Sequence, residues 1–252
     1  MPREDVSLLL DAYDAQLRAH VHDRLPDSFR VERDGPLVRT VGFGTHGFVE
    51  YHDLAGLDGE ELDGLIARQV QFFAERGEPF EWKLHGHDRP ADLPDRLRAA
   101  GFVSKDAETV LIGRVDEVAA EPRLPDGVAI REVRERGDFA PVARLEESVW
   151  HEDHSWVDDL AEERAADPAG LRIFVAEAGG LIVCAGWVRF PSGTEFVTFW
   201  GGATLPAWRG RGIYRALVAH RAELAASIDH PNIGGDGESR RSGIRPGVRS
   251  SG

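Results

Sequence analysis

The sequence predicts an α+β fold with an α/β-type mixed sheet, arranged as two units of similar size. Helix-like and strand-like segments are mixed along most of the 252 residues. Three consecutive strand-like segments lie between residues 171 and 205, and a glycine turn joins the first two, which predicts an antiparallel run. A proline-bearing stretch, "AAEPRLPDG", predicts a linker at residues 121–127 between units at residues 1–120 and 128–228.

The composition is that of a globular protein, with 42% hydrophobic and 29% charged residues. The net charge of −14 argues against nucleic-acid binding, which needs a basic surface. That charge suits a positively charged substrate, although an acidic surface that favours solubility is the simpler explanation. The longest apolar run, residues 181–188, is too short to span a membrane, and the acidic N-terminal segment does not have the pattern of a signal peptide. The single cysteine, Cys184, predicts no internal disulfide, so we expect a cytoplasmic protein without a membrane partner.

The first half predicts a helix at residues 5–22, three short strands, a helix at residues 58–77, and then a strand, a short helix and a strand. The second half predicts a strand, two helices, three strands and a last helix at Ile213–Ser227. A serine, Ser155, is the expected N-cap of the second of those two helices. The strand segments are "FRVER", "LVRTVGF", "HGFVEYH", "FEWKLHG", "ETVLIGRV", "VAIREVRE", "LRIFVAEAGG", "LIVCAGWVRF" and "EFVTFWGGATL".

A glycine-arginine turn, "RGRG" at residues 209–212, lies between the last strand and the last helix. The N-terminus of a helix presents unpaired N–H groups and the positive end of the helix dipole to an anion. Glycine lets the backbone approach closely, and Arg209, Arg211 and Arg215 add positive charge. The turn therefore predicts a phosphate or pyrophosphate site, with a solvated basic loop as the alternative. It has neither the Lys-Ser or Lys-Thr pair of a Walker loop nor the spacing of a dinucleotide-binding turn.

The stretch "LPAWRGRGIYRAL" resembles the acyl-CoA-binding motif of the GNAT superfamily of N-acetyltransferases. In that family, strand four leads into an R/Q-x-x-G-x-G/A turn and a helix. Arg209 takes the first position and Gly212 the central glycine, whereas Tyr214 stands where glycine or alanine is usual. The resemblance implies acetyl-CoA as co-substrate, with its pantetheine arm on strand four and its pyrophosphate on the turn. The implied binding residues are Ala203, Thr204, Leu205, Arg209, Gly210, Arg211, Gly212, Ile213 and Tyr214.

The resemblance also implies the reaction, in which an amine attacks the thioester carbonyl of acetyl-CoA directly. The acceptor would be a small-molecule amine or a protein amine. A backbone N–H near Leu205 is the implied donor to the carbonyl oxygen. Some members use a strand-four glutamate as base, but Thr198 stands at that position, and Glu195 lies three residues earlier on the opposite face of the strand. The catalytic residues are therefore not assigned.

A polar segment, "EESVWHEDHSW" at residues 146–156, bridges two predicted helices in the region that shapes the acceptor site of similar proteins. His151 and His154 have side chains that can relay a proton near neutral pH. Carboxylates there can hold a cationic amine, with Glu147, Glu152 and Asp153 as the candidates. We therefore expect Glu147, His151 and His154 to bind the acceptor, with a plain helix-connecting loop as the alternative. The H-x-x-H spacing has no evident third ligand, so no metal site is predicted.

The first half resembles the distal part of the same fold, and "LRAAGF" is similar to the last helix of the family. At the place of the phosphate-binding turn it has Asp58, Glu60 and Glu61, which repel phosphates from the helix start. Residues 1–120 are therefore expected to form a degenerate GNAT-like domain that does not bind acetyl-CoA. An unrelated α+β domain is the alternative.

The sequence after Ser227 departs from the family, which continues with a strand, a helix and a hairpin. The segment "IDHPNIGGDGESRRSGIRPGVRSSG" has no leucine and no apolar periodicity. We expect residues 229–252 to be a disordered or aberrant tail, from a truncated gene, a shifted reading frame or a native disordered end. The second domain would then lack its distal strands, strand four would have an exposed edge, and Leu217 and Leu224 would be uncovered, which favours association.

Three functions follow from these patterns. The first is a tandem acyl-CoA-dependent N-acetyltransferase. The second is a catalytically inactive acyl-CoA-binding module, and the third is an interaction protein without a ligand. A homodimer is left open as an assembly, and nucleic acid is not expected as a partner.

Overall fold

The structure, a computed structural model, describes residues 3–42, 46–107, 109–121, 123–151, 154, 156–236 and 244–246. The helices are α1 (Arg3–Gln16), α2 (Gly59–Arg76), α3 (Leu93–Ala99), α4 (Val115–Val118), α5 (Phe139–Trp150), α6 (Trp156–Ala166) and α7 (Ile213–Ser227). The strands are β1 (Arg30–Asp34), β2 (Leu37–Val41), β3 (Gly47–Glu50), β4 (Phe80–Trp82), β5 (Phe102–Ser104), β6 (Val110–Arg114), β7 (Val128–Val133), β8 (Leu171–Ala178), β9 (Leu181–Arg189), β10 (Phe196–Thr204), β11 (Asn232–Asp236) and β12 (Ile244–Pro246). Across these described ranges, no helix is long and apolar enough to cross a membrane.

The chain divides into two compact units, each with its own six-stranded sheet. The larger unit comprises Met1–Pro26 and Thr109–Arg240, and its strand order is β6-β11-β10-β9-β8-β7. The smaller unit comprises Asp27–Glu108 and Arg241–Gly252, and its strand order is β1-β2-β3-β4-β12-β5. The mixed α+β architecture that the sequence predicts is therefore confirmed.

The smaller unit contains a strand–helix–strand crossover, in which α2 connects β3 to the parallel strand β4. The helix buries an apolar stripe in the core, formed by Leu62, Leu65, Ile66 and Phe73. Asp58 precedes the helix, and Glu60 and Glu61 occupy its first turn, so the acidic start lies where the sequence predicts it.

The larger unit repeats this crossover with β10, α7 and β11, because β11 pairs parallel to β10. The other pairings in its sheet are antiparallel. Helices cover both faces of the sheet: α5 and α6 bury one set of apolar residues, and α7 buries another. The crossover contains the acidic start of α2 in the smaller unit and the glycine-arginine turn before α7 in the larger unit.

The division at residue 120 is not the one that the structure has, because α1 and β6 lie in the larger unit. Tyr13 and Leu17, at the end of α1, pack so closely on β11 that a Cβ at Gly234 would lie 2.9 Å from the Leu17 side chain. The backbone of β6 pairs with β11 over its whole length. Such long-range pairing is decided by packing in the folded chain and leaves no local signal in the sequence.

The expectation of a strandless tail over residues 229–252 is wrong at residues 232–236, which form β11. The second sheet therefore has the strand that follows α7, and β6 occupies the place beyond it. A glycine-rich segment can form this strand because two neighbouring strands pair with its backbone and because Ile233 is buried. Leu217, which was expected to be uncovered, is fully buried. Residues 244–246 form β12, and residues 237–243 and 247–252 lie outside the described residues.

Candidate functional site

A bulge interrupts β10 next to the glycine-arginine turn. β10 pairs regularly with β9 up to Gly201, and the register shifts before Thr204 pairs with Cys184. Gly201 and Gly202 have φ values of 75° and 119°, which only glycine adopts readily. A Cβ at Gly201 would collide with the ring of Trp187, so both glycines are required by the geometry.

The two parallel strands of the crossover separate at this bulge. β10 pairs with β11 only from Phe196 to Thr198, whereas β10 itself continues to Thr204. β11 continues to Asp236 and pairs along its whole length with β6 on its other edge. An opening between β10 and β11 therefore begins after Thr198 and leads to the turn before α7.

The backbone of Thr204 faces this opening, and that of Leu205 does not. The N–H of Leu205 itself donates to the carbonyl of Val183 on β9, at 3.0 Å, so the donor expected near Leu205 would be a neighbouring N–H. Bonded and non-bonded pairs alternate along an antiparallel ladder. The neighbouring pair, Thr204 and Cys184, is therefore of the non-bonded kind, and the N–H of Thr204 is directed away from β9.

The turn after β10 is shaped by two glycines and closed by an arginine. Gly210 and Gly212 both have left-handed backbones, with φ values of 73° and 79°. The Nε of Arg209 donates to the carbonyl of Thr204 at 3.0 Å, which ties the turn to the end of β10. Ile213, the first residue of α7, is buried and so offers only its backbone to a ligand. The N–H groups of the first helical turn are thus presented at the end of the opening.

Two further side chains of the predicted binding set have defined places. The guanidinium of Arg211 lies 4.8 Å from the centre of the Trp208 ring. Tyr214, which replaces the usual small residue, lies against the bulge: a Cβ at Gly202 would be 2.6 Å from its ring. Ala203 is buried in the core next to the bulge.

A fully buried arginine on α7, Arg221, supports the bulge from the face of the sheet that α7 covers. Its Nη1 donates to the carbonyls of Trp187 on β9 and Trp200 on β10, at 2.9 and 3.0 Å, and its Nε donates to Leu217. Burial lowers the pKa of this guanidinium to about 10. The arginine thus bridges the two strands where their regular pairing ends.

The three expected acceptor-binding residues differ in their exposure. Glu147 and His151 are exposed, and His151 ends α5 with a left-handed φ of 59°. His154 is instead buried, with its ring 5.6 Å from that of Trp156. Glu152, Asp153 and Ser155 lie outside the described residues. Among the residues that the structure describes, no three His, Cys, Asp or Glu side chains form a group that could hold a metal ion.

Glu146 is the residue of this segment that the sequence analysis missed. Its side chain is 1% exposed, and its Oε2 accepts a hydrogen bond from the Nε1 of Trp150 at 2.9 Å. Burial raises the pKa of this carboxyl to about 7, against the opposing effect of the Trp150 hydrogen bond. A signal was present, since Glu146 lies four residues after Val142 and three before Val149, on the apolar stripe of α5.

Comparison with known proteins identifies the fold. No family model matches the sequence, and no curated protein matches it. Among solved structures, a tandem GNAT protein from the clavulanic acid biosynthesis pathway is 12% identical and aligns with a TM-score of 0.62, over 97% of this chain and 94% of that chain. A GCN5-related N-acetyltransferase from Kribbella flavida is 15% identical, with a TM-score of 0.61 over 87% of this chain and 86% of its own. Another from Sphaerobacter thermophilus is 14% identical, with a TM-score of 0.60 over 82% and 70%. The chain has the GNAT fold.

Proposed function

We propose that the larger unit binds acetyl-CoA in the opening between β10 and β11 and transfers the acetyl group to a primary amine. One observation carries this proposal: the strands separate after Thr198, and the opening ends at a turn with left-handed Gly210 and Gly212 before α7. A pantetheine arm can extend β10 as a strand does, and a pyrophosphate suits the N–H groups of the turn.

The backbone of Thr204 is placed to polarise the thioester. Its N–H is directed toward the opening, where it would donate to the carbonyl oxygen as negative charge develops there. The amine nitrogen then attacks the carbonyl carbon, the carbon–sulfur bond breaks, and the thiolate of CoA leaves. The fold of the structural neighbours and the geometry of this turn support the same reaction class.

Calorimetry with acetyl-CoA tests the proposal. Gly212→Asp places a carboxylate and a strained backbone at the turn, so the affinity should fall more than about tenfold, or about 1.4 kcal/mol. Gly180→Asp is the matched control, because Gly180 has a similar φ of 83° and open space in the turn between β8 and β9. Equal affinity of the two variants would refute the assignment.

An inactive acyl-CoA-binding module is the second candidate. Thr198 stands where some members of the family have the strand-four base. The Oγ1 of Thr198 accepts a hydrogen bond from the Nε1 of Trp200 at 2.7 Å. Release of CoA thiol from acetyl-CoA on a panel of amines separates the two candidates: binding without release supports the inactive module.

The smaller unit is proposed to bind no acetyl-CoA. The acidic start of α2, with Glu60 and Glu61 in its first turn, opposes a pyrophosphate there. One acetyl-CoA per chain is therefore expected in calorimetry, and a stoichiometry of two would contradict this.

A further inference from the structure

Glu146 has an unusual environment for a buried carboxylate. One oxygen, Oε2, is bonded to Trp150, whereas Oε1 is buried and has no hydrogen-bond partner among the described residues. A buried carboxylate with a vacant acceptor is costly, and an apolar residue of similar size would usually be more stable at such a position. A donor that comes from outside the chain would account for its presence.

The helix that carries the carboxylate packs on the strand proposed to hold the thioester, since Leu145 shares a buried cluster with Trp187 of β9 and Ala203 of β10. α5 packs on β9 and β10. Burial raises the pKa of the Cys184 thiol against the opposing effects of the Thr204 hydrogen bond and the charge of Arg221, and the charge of Glu146 adds to the rise. Cys184 is the cross-strand partner of Thr204, whose Oγ1 lies 3.2 Å from its Sγ.

Aromatic rings line the same layer. The ring of Trp187 lies against Gly201 at the bulge and 5.5 Å from that of Trp156, and its Nε1 also has no partner among the described residues. Trp200 is the cross-strand partner of Trp187. We refer to Trp150, Trp156, Trp187 and Trp200 as the tryptophan cluster. Aromatic faces with one carboxylate are the groups that hold an ammonium ion.

We propose that Glu146 binds and deprotonates the acceptor, and that the acceptor is an ammonium group on a small apolar or aromatic body held by the tryptophan cluster. This inference rests on the proposed function. The ammonium transfers one proton to the carboxylate, and the neutral amine attacks the thioester carbon. The tetrahedral adduct then loses the CoA thiolate, which takes the second nitrogen-bound proton. Glu146 returns its proton to solvent, so the products are the N-acetylated amine, CoA thiol and one proton.

Charged groups on the elements that neighbour α5 are paired with one another, and the buried His154 lies beside Trp156. β10 has no titratable side chain, and β9 has Cys184 and Arg189. Arg189 is paired through both of its hydrogen-bonding nitrogens with Glu163 of α6, at 2.7 Å. Asp138, which precedes α5, pairs with Arg131 at 3.3 Å.

Two measurements on the full chain test the proposal. Tryptophan fluorescence, with and without CoA, follows the binding of phenethylamine, of phenethyl alcohol as its uncharged analogue, and of spermidine as an amine without an apolar body. The wild-type chain should prefer phenethylamine to both by at least about tenfold, and Glu146→Gln should lose the preference for phenethylamine over phenethyl alcohol. Glu162→Gln, at an exposed position on α6, is the control and should retain it.

Thiol release from acetyl-CoA gives the second readout. With phenethylamine, Glu146→Gln should reduce kcat/KM by about 100-fold or more and abolish its rise through neutral pH, while the affinity for acetyl-CoA stays within about twofold. An unchanged pH profile or amine preference in Glu146→Gln would overturn the proposal, as would a wild-type chain that binds none of the amines. A wild-type chain that binds phenethylamine through Glu146 but not acetyl-CoA would overturn the proposed function instead.

Discussion

The ring of Tyr214 lies over Gly202, with its Cε2 atom 2.6 Å from the position of a Cβ at residue 202. The bulge in β10 and the large side chain at the start of α7 therefore depend on each other, because the bulge leaves the space that this side chain fills. A small residue at position 214 would leave that space empty. This pairing explains how the fold accommodates a tyrosine at that position.

Replacing Gly202 by alanine should destabilise the larger unit by about 2–3 kcal/mol, from the contact with Tyr214 and from the strained φ of 119°. Tyr214→Ala in the same chain should recover the part due to the contact. Urea unfolding of the two single variants and the double variant measures the coupling. Strictly additive effects would show that the contact is not the cause.

Arg221→Met should lower the free energy of unfolding by about 2–4 kcal/mol, because the carbonyls of Trp187 and Trp200 lose their donor. Arg144→Met, at an exposed position of α5, is the control and should change it by less than about 0.5 kcal/mol. Retention of full stability in Arg221→Met would mean that the strands hold the bulge without this bridge.

Two groups, the buried Glu146 and the half-buried His22, make opposite contributions to the pH dependence of stability. Glu146 has a pKa raised from 4.5 to about 7, so the folded chain keeps a proton that the unfolded chain loses. Its contribution is complete below pH 4.5 and is lost as the pH rises to 7. His22 has a pKa lowered from 6.5 to about 4, by burial and then by the charge of Arg189. Its contribution is complete above pH 6.5 and is lost as the pH falls to 4.

The wild-type chain should therefore show little net change from these two groups between pH 4.5 and 6.5, and each single variant should reveal the other group. In Glu146→Gln, the free energy of unfolding should rise with pH across this window, by up to about 3 kcal/mol. In His22→Gln, it should fall with pH by a similar amount. Urea unfolding at a series of pH values measures both, and parallel curves for the two variants would contradict the assignment.

Tyr13→Ala should destabilise the larger unit by about 1–3 kcal/mol, because Tyr13 packs on β11 at Gly234 and its ring lies 6.3 Å from that of Phe196. Leu8→Ala on the same helix is the control, since Leu8 is 67% exposed. Thermal unfolding of both variants is the measurement. Equal midpoints would indicate that α1 does not stabilise the unit.

The features predicted from sequence were those with a local cause. Gly210 and Gly212 follow a strand and precede a helix, so the turn was visible in a short segment. The strand β11 was missed because Gly234 and Gly235 offer no side chains, and its stability comes from neighbours that are distant in sequence. Glu146 was missed because its sequence neighbours, such as Glu147, are also acidic. Which of these side chains is buried depends on the rotation of α5 against the sheet.

The position of β12 has a consequence for synthesis on the ribosome. This strand lies between β4 and β5, where Ile244 pairs with Trp82 and with Ser104. Most of the smaller unit is translated early. Its sheet is nevertheless incomplete until residues 244–246 have emerged from the ribosome. The larger unit has all of its strands once residue 236 has left the exit tunnel. The smaller unit is thus completed last, and until then β4 and β5 have open edges that can pair with other nascent chains.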